Sequence, residues 1–351
     1  MSILKGVNLT TVFLILGISG FGLLTIFVQN SQLAVQQFLF FLLGLLFFFV
    51  ISSFDVRILK DVSAGLWLVS LILVLLVTFF GPEIRGAHRW IELGFFRFQP
   101  TELAKPALIL FLAQILTKNS AEPIFNLLKS LAVMAPFAVL AFLQPDLGNA
   151  IIFLAIWFLA VFISGYSWKI IGALAAFFLA ILPAIFGVLA PYQRLRLETF
   201  LNPADDPLGA GYTVIQSQIA VGAGRIFGQG LTGATQSKLE FLPEAPTDFI
   251  FASLAESFGF FGSLIFIFLF LTLVYQIAKA AKFQDRFSQI LILEIAGVLF
   301  FQFFINLAMG VGLLPVVGVT LPFVSYGGSS LVASFILLGL FQSQIRFATK
   351  P

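Results

Sequence analysis

Residues 6–54 read GVNLTTVFLILGISGFGLLTIFVQNSQLAVQQFLFFLLGLLFFFVISSF, a run without one charged side chain. A helix needs about 20 predominantly apolar residues to cross the hydrocarbon core of a bilayer, so the run has room for two crossings. Residues 295–345 are equally free of charge and hold two more. Across all 351 residues 60% are hydrophobic and only 10% charged, a ratio no soluble core requires. The expected fold is an all-α polytopic membrane protein, a single integral membrane domain over 1–351.

Outward from these runs, apolar stretches and their breaks place ten spans: about 8–28, 33–54, 63–81, 100–117, 127–143, 148–165, 170–191, 249–277, 288–312 and 327–345. An even number puts both termini on one side, and the basic residues say which. With cytoplasmic termini, the cytoplasmic segments carry 11 Lys and Arg and the short outer loops carry 3, Arg85, Arg89 and Arg97. The expected topology has both termini in the cytoplasm and one large extracytoplasmic loop, about 192–247, between spans 7 and 8. The N-terminal run lacks a small-residue cleavage site and reads as a retained first span.

Composition excludes several chemistries. A net charge of +3 carries no nucleic-acid signal, and the absence of Cys removes thiol chemistry and thiolate metal sites. One His, His88, speaks against a His-based metal or haem centre. The cytoplasmic loops are short and contain no G-x-x-x-x-G-K-[ST] pattern, so no bound nucleotide is expected. GQGLTG, residues 228–233, matches G-x-G-x-x-G without a surrounding strand–turn–helix unit; its glycines serve backbone turns instead.

The polar residues within so apolar a chain mark where chemistry is to be sought. QPTELAKPALILFLA opens the fourth span with Glu102 and Lys105 three residues apart on one helix face. Charges at such depth face a protein interior or a wet cavity. The turn LQPDLGNA adds Asp146, and the three ions either form a structural staple or belong to a site. PEIRGAHRWIELGFFRFQP, residues 82–100, suits an interfacial position with Arg89 and Arg97 near headgroups, as an aromatic belt or as a substrate contact. In the long loop, GYTVIQSQIAVGAG (211–224) suits an amphipathic helix on the membrane surface, and Arg194, Arg196, Arg225 and Lys238 are cations able to meet phosphates.

The loop ends in QSKLEFLPEAPTDFIFASLAESFG, residues 236–259, where Glu240, Glu244 and Asp248 recur at intervals of four. Pro246 and Thr247 signal a helix start, placing Asp248 in the first helical turn, where the helix dipole favours its ionised form and burial opposes it. Glu256 falls near the same face, and Glu294 sits in the ninth span. The apolar connection GLLPVVGVTLPFVSYGGSS (312–330) reads as a packed or re-entrant segment closing a cavity.

Five stretches together resemble the SEDS family (shape, elongation, division and sporulation): GAHRWIELGFFRFQPTELAK, QPDLGNA, RLRLETFLNPADDPLGAGYTVIQSQIAVGAGRIFGQG, KLEFLPEAPTDFIFASLAESFG and LPVVGVTLPFVSYGGSS. They run in family order over most of the chain. The resemblance implies ten spans and a peptidoglycan glycosyltransferase that polymerises lipid II at the outer face of a bacterial plasma membrane. It further implies a class B penicillin-binding transpeptidase as partner, among other membrane proteins of the elongation complex. The family's essential loop Asp corresponds to Asp248 and its loop Glu to Glu240; its Glu–Lys pair corresponds to Glu102 and Lys105, and its QPD carboxylate to Asp146. Val317, where the division branch carries Lys, points to the elongation branch. Pro246, where the family often carries His, leaves Asp248 without an adjacent imidazole.

Such a reaction needs a general base for the attacking sugar hydroxyl and positive charge for the departing pyrophosphate. Asp248 suits the first role. Arg194, Arg196 and Arg225 suit the second, as does a divalent cation, Mg²⁺ or Mn²⁺, held by Asp248, Glu240 or Glu244. Base and cation ligand are competing roles for Asp248. A lipid II flippase and a non-enzymatic scaffold of the elongation complex are the alternatives.

Overall fold

The computed structural model describes residues 8–347 except 85, 95, 118–122, 190, 204–205, 208, 210 and 240. The chain begins with α1 (Leu9–Gln29), α2 (Ser31–Ser52) and α3 (Val56–Phe80), then a short hairpin of β1 (Ile91–Leu93) and β2 (Phe96–Phe98). Four long helices follow, α4 (Pro100–Thr117), α5 (Pro123–Leu143), α6 (Leu147–Ile163) and α7 (Trp168–Val188). The connection to the C-terminal part holds α8 (Pro191–Leu201), α9 (Tyr212–Ala223), α10 (Gly230–Gly233) and α11 (Thr235–Lys238). The last three are α12 (Ile250–Ala280), α13 (Arg286–Gly310) and α14 (Gly328–Phe347). A helix stands at each of the ten expected spans, and among the described residues seven are long and apolar enough to cross a membrane. The protein is a multi-pass, mostly helical membrane protein.

Polar residues turn the chain between helices. Asn30 serves two ends at once: its N–H closes α1 on the Ile26 carbonyl at 2.8 Å, and its side chain accepts from Gln32 N at 2.9 Å and Leu33 N at 3.2 Å to start α2. Asp55 starts α3 by accepting from Arg57 N at 2.8 Å. In the hairpin, Gly94 takes the positive φ of the turn while Glu92 faces Arg97.

Inside, α14 is the most enclosed of the long helices, packed against α2, α4 and α13. Glycine permits its approach to α2: a Cβ on Gly44 would strike the Phe335 ring at 2.3 Å, and one on Gly339 would meet the Phe48 carbonyl at 3.1 Å. Outside, α1 to α3 present Phe13, Phe27, Phe79 and Phe80. An apolar surface this extensive belongs against hydrocarbon.

The long connection is ordered helix over much of its length. The expected helix at 211–224 is α9, but it is not merely laid on a surface. One face packs against α12 and α13, with Val214, Ser217 and Ala220 buried and Ser217 Oγ donating to the Gly310 carbonyl at 2.5 Å.

Beside it α12 is broken. Gly259 has φ 69° and ψ −166°, so the regular ladder stops. The segment 225–229 supplies the partners: Phe260 N donates to Arg225 O at 2.9 Å, Phe261 N to Ile226 O at 3.1 Å, and Gln229 N to Glu256 O at 2.9 Å. This contact is possible because three glycines meet there. A Cβ on Gly259 would lie 2.2 Å from Gly228 N, and one on Gly224 would lie 1.9 Å from the Ala255 carbonyl oxygen. Of the literal G-x-G-x-x-G, Gly228 serves this packing, while Gly230 takes a positive φ with open space around it.

Gly259→Ala is expected to destabilise the fold, with backbone strain alone on the order of 1–3 kcal/mol before the steric conflict is added. Thermal unfolding in detergent, followed by loss of the monodisperse species, checks this; an unchanged midpoint would show that the break is not required.

Candidate functional site

The acidic segment forms a tight turn. The N–H groups of Thr247, Asp248 and Phe249 all point at the Glu244 carbonyl, at 3.1, 3.1 and 3.3 Å. Thr247 Oγ1 lies 3.1 Å from Glu244 Oε2 and 3.1 Å from its carbonyl. Thr247 is therefore not the cap of α12. That helix begins at Ile250 after Phe249, leaving Asp248 just outside the first turn.

Asp248 stands in the wall of a cavity of about 190 Å³, together with Glu244, Arg196, Thr199, Thr213 and Val316. The carboxylate is half-buried, open towards the cavity and enclosed by protein elsewhere. Burial is the largest influence on it, followed by repulsion from Glu244; Arg196 pulls the other way, Asp146 raises and Arg89 lowers. The result is a carboxyl pushed up from 3.8 to about 6. Of the two opposing tendencies open in the sequence, desolvation wins.

Asp146 belongs to a neighbouring cluster. Its Oδ1 accepts from Asn149 N at 3.1 Å, capping α6, and its Oδ2 accepts from Asn149 Nδ2 at 2.9 Å and Gln99 Nε2 at 3.2 Å. Arg89 lies 3.9 Å from the same oxygen and donates to the Gln144 and Pro145 carbonyls, which draws it into the protein instead of towards headgroups. The two groups meet across the segment 312–327: a Cβ on Gly148 would strike Val317 O at 2.5 Å, and one on Gly318 would lie 3.6 Å from Asp248 Oδ2.

Glu102 and Lys105 are brought together but not into the cavity. Lys105 Nζ donates to Glu102 Oε1 at 2.7 Å with both side chains almost wholly buried. The pair lies beside the Asp146 cluster through its backbone neighbours: Thr101 Oγ1 accepts from Asn149 Nδ2 at 3.4 Å, and Glu102 N donates to the Gln99 carbonyl at 3.1 Å.

The cations also separate. Arg196 lines the cavity and donates to the Val316 carbonyl at 3.3 Å. Arg194 donates to the Gly187 carbonyl and stacks on Phe186, and Arg225 sits at the break of α12; neither lines the cavity. Glu256, expected near Asp248, points elsewhere: it accepts from Gln236 N at 2.8 Å, Ser237 N at 3.0 Å and Ser237 Oγ at 2.5 Å, pinning α11 to α12. Glu294 lies inside α13 with neither oxygen hydrogen-bonded among the described residues. Glu240 lies outside the described residues.

Thr199 and Thr213 also line the cavity; both lie in the stretch 194–230 that carries the resemblance, but as single hydroxyls they give no chemical signal of their own. Asn306, an amide in the uncharged run 295–345, was a signal not taken up: its Nδ2 donates to the Asp248 carbonyl at 3.0 Å.

The family model described as cell cycle protein, of FtsW, RodA and SpoVE, matches residues 2–350. A peptidoglycan glycosyltransferase MrdB of Escherichia coli K12 is 39% identical over 304 residues, covering 86% of this chain and 82% of that protein. A probable peptidoglycan glycosyltransferase FtsW of Haemophilus influenzae is 40% identical over 291 residues, covering 79% and 72%. Among solved structures, a chain of a peptidoglycan synthase complex that coordinates polymerization and crosslinking superposes with a TM-score of 0.82 at 33% identity, covering 98% of this chain and 99% of that one. The rod shape determining protein RodA of Thermus thermophilus gives 0.75 at 29% identity, covering 98% of both.

Two stability outcomes follow from this electrostatics. Glu102→Gln strands the Lys105 ammonium and is expected to cost about 3–5 kcal/mol, most of it recovered on adding Lys105→Met; equal thermal midpoints for the single and double variants would contradict this. Asp248 has a folded pKa raised above its ordinary 3.8, so its carboxylate destabilises the fold fully above about 6 and progressively less as pH falls towards 3.8. Asp248→Asn is therefore expected to raise the unfolding midpoint more at pH 8 than near pH 4.5.

Proposed function

We propose that this chain, which belongs to the FtsW, RodA and SpoVE family of cell cycle proteins, joins sugars with Asp248 as its general base. The protein is a peptidoglycan glycosyltransferase acting in cell elongation. Its substrate in this reading is lipid II, polymerised into glycan strands at the outer face of the bacterial plasma membrane.

One observation carries the mechanism: Asp248 and Arg196 stand in the walls of one cavity, and the Asp248 carboxyl is raised to about 6. A base poised near neutrality combines a large ionised fraction with useful basicity. A sugar hydroxyl attacks the anomeric carbon, and the new C–O bond forms as the bond to the lipid-linked pyrophosphate breaks. The hydroxyl proton passes to Asp248, and the leaving pyrophosphate takes its electron pair towards Arg196. Single displacement inverts the anomeric centre. Thr199 and Thr213 supply hydroxyls along the same walls to orient sugar or phosphate oxygens.

In the competing role, Asp248 and Glu244 would hold Mg²⁺ or Mn²⁺ with substrate phosphates completing the shell, and an Asp248 bound to the ion would not also serve as base. Such an ion would add positive charge at the leaving group.

The ten helices at ten apolar segments, with basic residues 11 to 3, support ten crossings of one domain with cytoplasmic termini. That topology puts 192–247 and the Asp248 cavity outside. Likeness to a chain of a synthase complex supports a class B penicillin-binding transpeptidase as partner, beside other elongation-complex proteins. The relatives' glycosyltransferase names favour the enzyme over a flippase or a scaffold.

The test is purified Asp248→Asn, with its transpeptidase, given lipid II. Polymer yield is expected to fall by roughly 100-fold or more; wild-type yield from the folded variant removes Asp248 from the mechanism. The wild-type rate should rise as pH passes up through about 6 and level off above it, because the base is the deprotonated form. A flat profile from pH 5 to 8 would exclude Asp248 as base.

A further inference from the structure

The turn that carries Asp248 is gripped from one side. Three successive carbonyls, those of Pro246, Thr247 and Asp248, accept hydrogen bonds from donors far away in sequence. Tyr326 N donates to Pro246 O at 2.7 Å, Ser325 Oγ to Thr247 O at 2.6 Å, and Asn306 Nδ2 to Asp248 O at 3.0 Å.

The donors are themselves fixed. Asn306 is fully buried in α13 and also donates to Val319 O at 2.8 Å, so one amide ties the Asp248 turn to the segment 312–327. Ser325 Oγ accepts from Leu321 N at 2.8 Å while donating to Thr247 O. Gln37 of α2 holds that segment from behind, donating to Ser325 O at 3.0 Å and accepting from Gly327 N at 3.3 Å.

We infer that Asn306 and Ser325 are positioning residues for the glycosyl transfer: by occupying the carbonyls of Thr247 and Asp248 they fix the backbone from which the Asp248 carboxylate reaches the cavity. This rests on the role proposed for Asp248. Two of the three contacts come from side chains, and neither side chain lines the cavity. Their effect on the reaction therefore runs through the geometry of Asp248. Geometry is what such a base depends on, since a displacement of about 1 Å at a reacting group can cost 100-fold in rate. Neighbouring α12 cannot hold the turn by itself, because it starts only at Ile250 with no side-chain cap.

Ser325→Ala deletes one oxygen and is the mild variant; Asn306→Asp keeps the shape but replaces a donor amide with an acceptor facing two carbonyl oxygens. Both are purified full-length with the transpeptidase, and rates are normalised to the monodisperse folded fraction. Ser325→Ala is expected to lower kcat roughly 10- to 100-fold with little change in KM, and to move the acid limb of the pH–rate profile away from the wild-type position. Ser325→Thr, which keeps the hydroxyl, should restore both. Asn306→Asp, if folded, should lose more. Wild-type kcat and an unmoved acid limb in folded Ser325→Ala would overturn the inference, as would a loss of activity that disappears once the rate is normalised to the folded fraction. Asp248→Asn run alongside separates the failures. Activity retained there defeats the role of Asp248, whereas an inactive Asp248→Asn beside an unaffected Ser325→Ala defeats only the positioning role.

Discussion

Backbone N–H and C=O groups must find partners where water is excluded, and the region around Asp248 is built from departures from regular structure that meet this requirement locally. At Gly259 the helix ladder is interrupted, and the strip 225–229 takes over its donors and acceptor. Between α13 and α14 the chain runs irregularly with Val319, Leu321, Phe323 and Val324 all buried. There, Asn306, Gln37 and Ser325 pair with its backbone. The second segment both grips the Asp248 turn and gives Val316 to the cavity wall, so there satisfying the backbone and shaping the cavity are one structural problem.

The ionised groups solve a different problem in two ways. Glu102 and Lys105 neutralise each other at 2.7 Å inside the helices, a closed pair of compensating charges. Among the described residues Asp248 receives no such close partner: Arg196 offsets only part of what burial and Glu244 impose. A staple would be expected to resemble the first arrangement. A carboxylate left at about 6 resembles a group kept ready to exchange a proton.

Much of this was legible in the chain itself, because hydrophobic run length is a strong signal. Every expected apolar segment is a helix, and Glu102 and Lys105 meet as their spacing requires. What the sequence left open depended on distance in space. Thr247 looked like a cap, but Glu244, at φ 52°, coils the chain into a turn first and delays the helix to Ile250. Arg89 looked like a headgroup anchor until two carbonyls at the Gln144–Pro145 turn claimed it. Three arginines looked equivalent; of the two on α8 only Arg196, which donates to Val316, reaches the cavity, and Arg225 does not. Local pattern does not encode these outcomes: Arg89 and Arg196 are settled by partners more than fifty residues away, and the helix start by a turn no propensity specifies.

The uneven charge around Asp248 also bears on how the proposed transfer proceeds in time. Before reaction, the Arg196 guanidinium interacts with an ionised Asp248 and lies in the same cavity as Glu244, so its positive potential towards a phosphate is partly offset. When Asp248 takes the hydroxyl proton it becomes neutral, which relieves the desolvation that had raised its pKa. The same event releases Arg196 from one of its anionic neighbours as negative charge builds on the departing pyrophosphate. Proton uptake and leaving-group stabilisation then favour each other, because both remove charge from the place where it is most costly and move it to where a cation stands. A carboxylate already neutralised by a tight ion pair offers no such gain. The partial compensation at Asp248 thus suits catalysis better than the full compensation at Glu102.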